Sequence, residues 1–231
     1  MAEKLVQLMS GGFDSAGQAI LLHEQGFEIY PLFVNFRKGG GKVEKEMRAV
    51  ELVSERMGWA KPGVIKHHIP RVYTGAGKRK KSNQTRNRTM CKIAGSYAEQ
   101  IGATHVAIGT AYMPEFAHMF THPEADSTQS ILQEQMPSGI TIQTLDMYKT
   151  TLLMNIPAKY RMLLFTTTSC HMWYKQECGV CYSCTERHAA FLTVMGFDHT
   201  TYAEDPKSAP SWRETWEAEV NKLNQYLEEQ K

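Results

Sequence analysis

The segment LVQLMSGGFDS, residues 5–15, indicates the fold class of the chain. Leu5 to Met9 is a short apolar run of the kind that forms a buried strand. A helical pattern follows from about Ser15 to Gln25 and ends at Gly26. Two glycines between the apolar run and the helix allow the main chain to turn sharply. The segment therefore predicts a unit of strand, loop and helix.

The same alternation of short strands and longer helices continues to residue 109. Strands are predicted at Ile29–Val34, Gly63–Ile69 and His105–Gly109, helices at Val43–Met57 and about Asn87–Ile101, and a polar basic loop at Arg71–Gln84. This alternation predicts an α/β fold with a parallel doubly wound sheet, covered on both faces. Ligands of such sheets bind beyond the carboxyl ends of the strands. The loops expected to share one site are therefore 10–15, 35–42, 70–86 and 110–126.

The alternation fades from Tyr148 onward, where short helical patterns surround a group of cysteines. We therefore expect an α/β domain at residues 1–147 and a small helical appendage at residues 148–231. The tail from Ser211 to Gln230 has apolar residues at helical spacing and predicts an amphipathic helix. This helix either packs on the chain's own core or makes a subunit contact, as in a homodimer.

The composition is that of an ordinary globular protein. Of 231 residues, 42% are hydrophobic and 22% are charged, which excludes the profile of a disordered chain. No run approaches the roughly 18 apolar residues of a membrane helix, and no signal-peptide pattern precedes Leu5, so we expect a cytoplasmic protein without a membrane partner. The net charge of +2 is too small to indicate a nucleic-acid partner. The basic run Lys78–Lys81 is either a solvated loop or part of a site.

The loop from Ser10 to Ser15 predicts an anion-binding site. It follows the first strand and begins the first helix, so its N–H groups point outward with the positive end of the helix dipole behind them. Gly11 and Gly12 allow phosphate oxygens to approach the main chain, and the hydroxyls of Ser10 and Ser15 add donors. Asp14 is expected to bind Mg²⁺ or to order the loop. The segment lacks the G-x-x-x-x-G-K-[ST] pattern of the kinase and GTPase P-loop.

Four of the five cysteines lie in one short window and predict a metal site. They are Cys170, Cys178, Cys181 and Cys184, with seven, two and two residues between them. Four thiolates can close a tetrahedral zinc site, whose role would be structural because no position remains for water. An iron–sulfur cluster and unligated thiols are the alternatives. The fifth cysteine, Cys91, falls in a predicted helix and is expected to be an inert buried thiol.

The loop at residues 10–15, called the phosphate loop below, also resembles a motif of a known protein family. Ser-Gly-Gly-Phe-Asp-Ser at residues 10–15 resembles the S-G-G-x-D-S pyrophosphate-binding loop of the N-type ATP pyrophosphatases, or PP-loop proteins. The resemblance implies a nucleotide-binding domain at residues 1–147. It also implies a first half-reaction in which a substrate oxygen attacks the α-phosphate of ATP and pyrophosphate leaves.

A second motif narrows the resemblance. Residues 168–171 (TSCH), 178–187 (CGVCYSCTER) and 190–191 (AF) are similar to the zinc region of the 7-cyano-7-deazaguanine synthase family. Three further segments resemble that family in the same order: Thr85-Arg86-Asn87, Ile108-Gly109, and Thr144-Leu145 with Lys149. The similarity covers roughly residues 4 to 197.

This resemblance implies an ATP-dependent ligase that adenylates 7-carboxy-7-deazaguanine and uses ammonia to form the amide and then the nitrile. The implied cofactors and metals are ATP, Mg²⁺ and Zn²⁺, and the partners are a 7-deazaguanine derivative and ammonia. The implied catalytic residues are Lys149, Asp14 and Arg86. The implied nucleotide contacts are Ser10, Gly11, Gly12, Phe13, Asp14, Ser15, Phe36 and Gly109.

The chain departs from the family's pattern at three places. Asn35-Phe36-Arg37-Lys38 replaces a D-Y-G-Q-like stretch, and Thr85 replaces a glycine. The family's D-x-S-G-Y-P-D-C substrate loop has no counterpart in Ala111–Gln129. Other readings therefore stay open: a variant that stops at the amide or transfers the deazaguanine, thiolation of a tRNA base, or a nucleotide- or zinc-binding interaction module without catalysis.

Overall fold

The computed structural model describes residues 2–36, 41–67, 79–109, 129–130, 132–145, 147–170, 172 and 176–231, and for residues 79–85 it describes the backbone alone. Five strands form one sheet: β1 (Lys4–Leu8), β2 (Glu28–Asn35), β3 (Gly63–Lys66), β4 (His105–Ile108) and β5 (Thr141–Thr144). The strand order is β3-β2-β1-β4-β5, and every neighbouring pair is parallel. The predicted parallel α/β fold is confirmed.

Helices cover both faces of the sheet, as the alternation predicted. They are α1 (Phe13–Glu24), α2 (Gly41–Met57) and α3 (Arg79–Ile101). Side chains of α1 and α2 share one apolar cluster with Leu5 and Ile29 on one face of the sheet. Side chains of α3 pack on the other face with Val6 and Val106. Because neighbouring strand residues point to opposite faces, β1 contributes to both clusters. This is the doubly wound arrangement.

One predicted helix boundary was wrong, and one strand was not predicted. Helix α3 begins at Arg79 rather than near Asn87, so residues 79–84 are helical rather than part of a loop. Lysine, arginine and glutamine are good helix formers, and their polarity alone suggested a loop. The fifth strand, Thr141–Thr144, was not predicted because it is a short edge strand with only one fully buried apolar side chain, Ile142.

The C-terminal part is helical. It contains α4 (Lys149–Asn155), α5 (Ala158–Arg161), α6 (Tyr182–Met195), α7 (Trp212–Glu229) and two 3₁₀ turns at Met162–Thr166 and Pro206–Ser208. Its buried side chains Leu152, Leu164 and Phe191 belong to the same apolar cluster as Phe13 and Ile20 of α1. Residues on both sides of position 147 thus share one core. The division into two domains stays a prediction.

The predicted tail helix is present as α7 and packs against α6 and α4. Its fully buried residues are Thr215 and Glu219, while Trp212 and Trp216 are half-buried and stack on each other at 5.6 Å. Packing on the chain's own core is therefore observed, and a homodimer contact stays a prediction. Within the described residues no helix combines the length and the apolar character needed to cross a membrane.

Candidate active site and metal centre

The loop at residues 10–15 lies at the carboxyl end of β1, the central strand of the sheet. Gly11 has a φ of +75°, and a Cβ there would collide with the main chain of Glu46. The Ser10 and Ser15 hydroxyls lie 3.2 Å apart, and Ser15 Oγ donates to Gly12 O at 3.2 Å. Among the described residues no side chain caps the N-terminus of α1. The first N–H groups of α1 are therefore available to an anion.

Lys149 and Asp14, two predicted catalytic residues, are in contact beside this loop. Lys149 Nζ lies 3.0 Å from Asp14 Oδ1 and donates a hydrogen bond to Oδ2 at 3.1 Å. Asp14 is in the first turn of α1, and Lys149 begins α4, so the packing of α4 on α1 brings them together. The structure thus places a cation at the edge of the phosphate loop.

Glu186 completes a buried ionic group that the sequence did not predict. Its Oε2 lies 3.3 Å from Lys149 Nζ, and the side chains of Lys149 and Glu186 are only 5% and 3% exposed. Burial raises the pKa of Glu186, with the charges of Asp14 and Glu219 acting in the same direction and Lys149 opposing them. Burial alone would lower the pKa of Lys149, but Asp14 and Glu186 raise it above its usual value. Lys149 is therefore held as an ammonium.

The other predicted nucleotide contacts are spread around the same edge. A Cβ on Gly109, just after β4, would lie 2.7 Å from Ser15 Cα, so only glycine lets this strand end meet the phosphate loop. Phe36 follows β2, and its ring lies 5.9 Å from the ring of His67. Arg86 is exposed in the N-terminal third of α3. The segment 110–128, which includes the loop expected to share this site, lies outside the described residues.

The four predicted cysteine ligands form one cluster. All four sulfur atoms lie within 4.8 Å of one another, close to the about 3.8 Å expected between sulfurs at 2.3 Å from a tetrahedral zinc. Backbone N–H groups of Cys178 and Cys181 point at the sulfurs of Cys170 and Cys178, at 3.4 and 3.3 Å. Hydrogen bonding to Cys181 and then burial raise the pKa of the Cys184 thiol. The residues fit a cation that would stabilise four clustered thiolates.

Gly179 allows the turn between two of these cysteines. Its φ is +88°, and a Cβ there would collide with Glu204 O. The main chain of Glu204 and Ala203 runs beside the turn, with Glu204 N donating to Cys178 O at 3.1 Å. A side chain at position 179 would displace this segment.

Glu177 links the cysteine segment to the phosphate loop, a role that the sequence did not indicate. Its Oε2 accepts hydrogen bonds from Ser169 N at 3.0 Å and Cys170 N at 2.7 Å, and its Oε1 accepts one from Thr168 Oγ1 at 2.6 Å. Thr168 N in turn donates to Gly11 O at 2.8 Å. Burial would raise the pKa of Glu177, but hydrogen bonds from Lys45 and Thr168 and the charge of Lys45 lower it overall. The carboxylate is therefore charged.

Neither carboxylate has a strong signal in the sequence. Glu177 and Glu186 flank cysteines, where acidic residues are common without any special role. A helical projection of residues 182–195 places Glu186 on the same face as Ala189 and Ala190, which are both fully buried in α6. A charged residue on an apolar helix face is the one sequence pattern that could have pointed to Glu186.

The parallel sheet, the anion-binding loop after β1 and the lysine beside it define the protein as a nucleotide-binding protein of the PP-loop class. A solved 4-thiouridine synthetase–RNA complex with bound ATP has this fold, with a TM-score of 0.54 at 17% identity over 98% of this chain and 53% of that chain. This chain thus spans about half the length of that structure.

Residues 4–195 match the family of the queuosine biosynthesis protein QueC, and the chain belongs to this family. The 7-cyano-7-deazaguanine synthase of Thermoplasma volcanium is 25% identical over 244 residues, covering 90% of this chain and 94% of that protein. The enzyme of the same name from Nautilia profundicola is 27% identical over 233 residues, covering 87% and 99%.

Proposed function

We propose that this protein is an ATP-dependent, AMP-forming ligase that converts 7-carboxy-7-deazaguanine to its amide and then to the nitrile, with ammonia as the nitrogen source. Membership of the QueC family and similarity to 7-cyano-7-deazaguanine synthases support this substrate. One observation carries the proposal of adenylation: the ammonium of Lys149 is buried 3.0 Å from Asp14, next to an open helix N-terminus.

In the first step, a carboxylate oxygen of the substrate attacks the α-phosphorus of ATP, and the bond to the pyrophosphate breaks. The N–H groups of the loop at 10–15 and the Ser10 and Ser15 hydroxyls bind the leaving pyrophosphate. Lys149 neutralises the negative charge that develops on it. Arg86 flanks the phosphates, Phe36 supplies an aromatic face, and Gly109 keeps the strand end close to the loop.

In the second step, ammonia attacks the activated carbonyl carbon, AMP leaves, and a proton is released to give the amide. A second ATP then adenylates the amide oxygen, with loss of pyrophosphate and of one amide proton. Departure of AMP and a proton from this intermediate leaves the nitrile. Adenylation is needed twice because neither the oxygen of a carboxylate nor that of an amide is a good leaving group until it is part of AMP.

The described residues fit both implied metals. Asp14 Oδ1 is buried and accepts no hydrogen bond from the described part of the chain. Among the described residues, its one neighbour of opposite charge is Lys149. Such an oxygen can ligate Mg²⁺, which would neutralise polyphosphate charge. Cys170, Cys178, Cys181 and Cys184 would hold Zn²⁺, which would cross-link the C-terminal region.

Cysteine chemistry argues against the thiolation alternative. Outside the four-cysteine cluster the sequence contains one cysteine, Cys91. This residue is fully buried in α3, and burial raises the pKa of its thiol to about 12. A thiol of this kind is a poor nucleophile at neutral pH.

The test is a complete reaction with product analysis. Purified protein is incubated with ATP, Mg²⁺, ammonium and 7-carboxy-7-deazaguanine, and the products are identified by mass spectrometry. We expect AMP, pyrophosphate and the nitrile only when the deazaguanine is present. Accumulation of the amide without nitrile would restrict the activity to the first nitrogen transfer, and ATP turnover that ignores the deazaguanine would reject this substrate.

A further inference from the structure

We propose that Glu186 is a positioning residue for Lys149, holding its ammonium in place when Asp14 turns from the lysine to bind the magnesium ion that accompanies the phosphates. This inference rests on the proposed function, because it assigns Lys149 to the polyphosphate of ATP. Glu186 itself has no contact with substrate in this assignment. It acts through the lysine.

The two carboxylates that contact Lys149 differ in their access to solvent. The Asp14 side chain is 27% exposed, whereas that of Glu186 is 3% exposed. A ligand at the phosphate loop can therefore reach Asp14, but Glu186 lies behind the lysine in the interior. When Asp14 exchanges its lysine contact for a cation, Glu186 is the carboxylate that stays on the ammonium.

A single buried counterion would not be enough for this exchange. Removing an ammonium from water is costly, and an ion without a partner in the interior is strongly unfavourable. Glu186 lies 3.3 Å from the Lys149 ammonium, so the lysine keeps one ion pair when Asp14 turns away. The lysine can then face the phosphates without either turning away from the site or losing its proton.

The surroundings keep Glu186 on this lysine. It lies on α6, which packs directly against α4, where Lys149 is the first residue. The next acidic side chain, Glu219 of α7, is already engaged: it accepts a hydrogen bond from Thr150 Oγ1 and lies 3.2 Å from Lys222 Nζ. The charges around Lys149 thus divide into two groups, and Glu186 belongs with Lys149 and Asp14 at the phosphate loop, whereas Glu219 contacts Lys222.

The test is a double-mutant cycle with four proteins: wild type, Glu186→Gln, Lys149→Met and the double variant. Glutamine keeps the shape of Glu186 and removes its charge. Binding of ATP with Mg²⁺ is measured by calorimetry without any acceptor, and kcat and KM for ATP are measured from pyrophosphate release. Glu217→Gln, an exposed change on α7, is the control and should match wild type in both measurements.

We expect Glu186→Gln to lower kcat about tenfold, with a change of less than about threefold in KM for ATP, because a positioned charge acts mainly in the transition state. In the Lys149→Met background the same change should have no further effect on kcat, and it should not weaken ATP binding. An equal loss in both backgrounds, or no loss in either, would overturn the role of Glu186.

The ATP-binding measurements separate this inference from the proposed function. If wild type releases no pyrophosphate with 7-carboxy-7-deazaguanine, the substrate assignment fails, and the binding cycle still decides on Glu186. There, Glu186→Gln should weaken ATP binding measurably but by less than about threefold in the wild-type background and not at all in the Lys149→Met background, and equal effects in the two backgrounds would overturn the role of Glu186. If Glu186→Gln does not fold, Glu186→Asp is used in the same cycle, because it keeps the charge but shortens its reach.

Discussion

At the residue scale, the ionic contact of Lys149 and Asp14 is the centre of the proposed chemistry. Both side chains come from the first turns of their helices, where the chain is held by packing of α4 on α1. Gly17 of α1 shows how close this packing is, because a Cβ there would lie 2.7 Å from Leu152 Cδ2. The close packing of these two helices therefore brings the first residue of α4 next to the first turn of α1.

Replacing Lys149 with Met should reduce adenylation at least about a hundredfold, since loss of one group that stabilises transition-state charge costs roughly 2.7–4 kcal/mol. Asp14→Ala should have an effect of the same order at the same site. Pyrophosphate release at saturating ATP is the measurement. Lys159→Met is the matched control, because this lysine is exposed on α5. A near wild-type rate in Lys149→Met would remove Lys149 from the mechanism.

Asp198 gives a prediction about the pH dependence of stability. Its carboxylate accepts hydrogen bonds from Tyr202 Oη and Thr200 N at 2.8 Å and lies 2.9 Å from His188 Nδ1. Burial would raise the pKa of Asp198, but the hydrogen bonds from these groups lower it overall. Because the native pKa is lowered, the stabilisation is complete above the unfolded value of about 4 and disappears as pH falls through the native value.

Asp198→Asn should therefore lower the free energy of unfolding by about 1.5–3 kcal/mol at pH 7, and by less as the pH is lowered below about 4. Urea unfolding at several pH values measures this. Asp205→Asn is the control, because Asp205 is an exposed acceptor for Lys207 N and its loss should matter less. A difference between wild type and Asp198→Asn that stays constant with pH would contradict the assignment.

At the element scale, the cysteine segment is joined to the phosphate loop rather than attached at a distance. Lys42 and Lys45 of α2 donate to Cys170 O at 2.8 Å and to Glu177 Oε1 at 2.6 Å. Glu177 also orders the main chain that reaches Gly11 through Thr168. Helix α2, the cysteine segment and the phosphate loop thus form one connected unit.

Glu177→Gln should weaken ATP binding several-fold while the bound metal is retained, because the change breaks the ion pair with Lys45 and leaves the four sulfurs intact. Calorimetry with ATP and metal analysis of the same sample measure both properties. Glu204→Gln is the control, since that side chain is exposed near the same turn. Loss of metal together with ATP binding would show that Glu177 supports the cysteine cluster rather than the loop.

At the scale of the whole molecule, the cysteine cluster should act as a cross-link. We expect one zinc per chain, and Cys181→Ser should release it and lower the thermal unfolding midpoint, since three remaining thiolates do not close a tetrahedral site. Cys91→Ser, outside the cluster, should keep the metal. Iron with a visible charge-transfer band, or a chain that contains no metal, would reject zinc.

Much of this architecture follows from local patterns in the sequence. Apolar runs such as Leu5–Met9, followed by glycine turns and helical spacing, determine β1 and α1 and their parallel neighbours, because these elements bury continuous apolar stretches. Two elements lack such a pattern: β5 has only Ile142 fully buried, and the first residues of α3 are polar. The sequence has a weak signal wherever few apolar side chains are buried.

The sequence by itself predicted the anion-binding loop and the four cysteine ligands, because each is a set of residue types at short, regular spacing, and the family resemblance indicated Lys149. Only the tertiary structure decided which carboxylates meet them. Glu186 and Glu177 reach Lys149 and the phosphate-loop segment through packing of α6 on α4 and of the cysteine segment on α2. These contacts join residues far apart in the chain. A buried charge is stable only beside an opposite charge, so burial determines the partners of Glu186 and Glu177. Such pairing leaves no local pattern in the sequence.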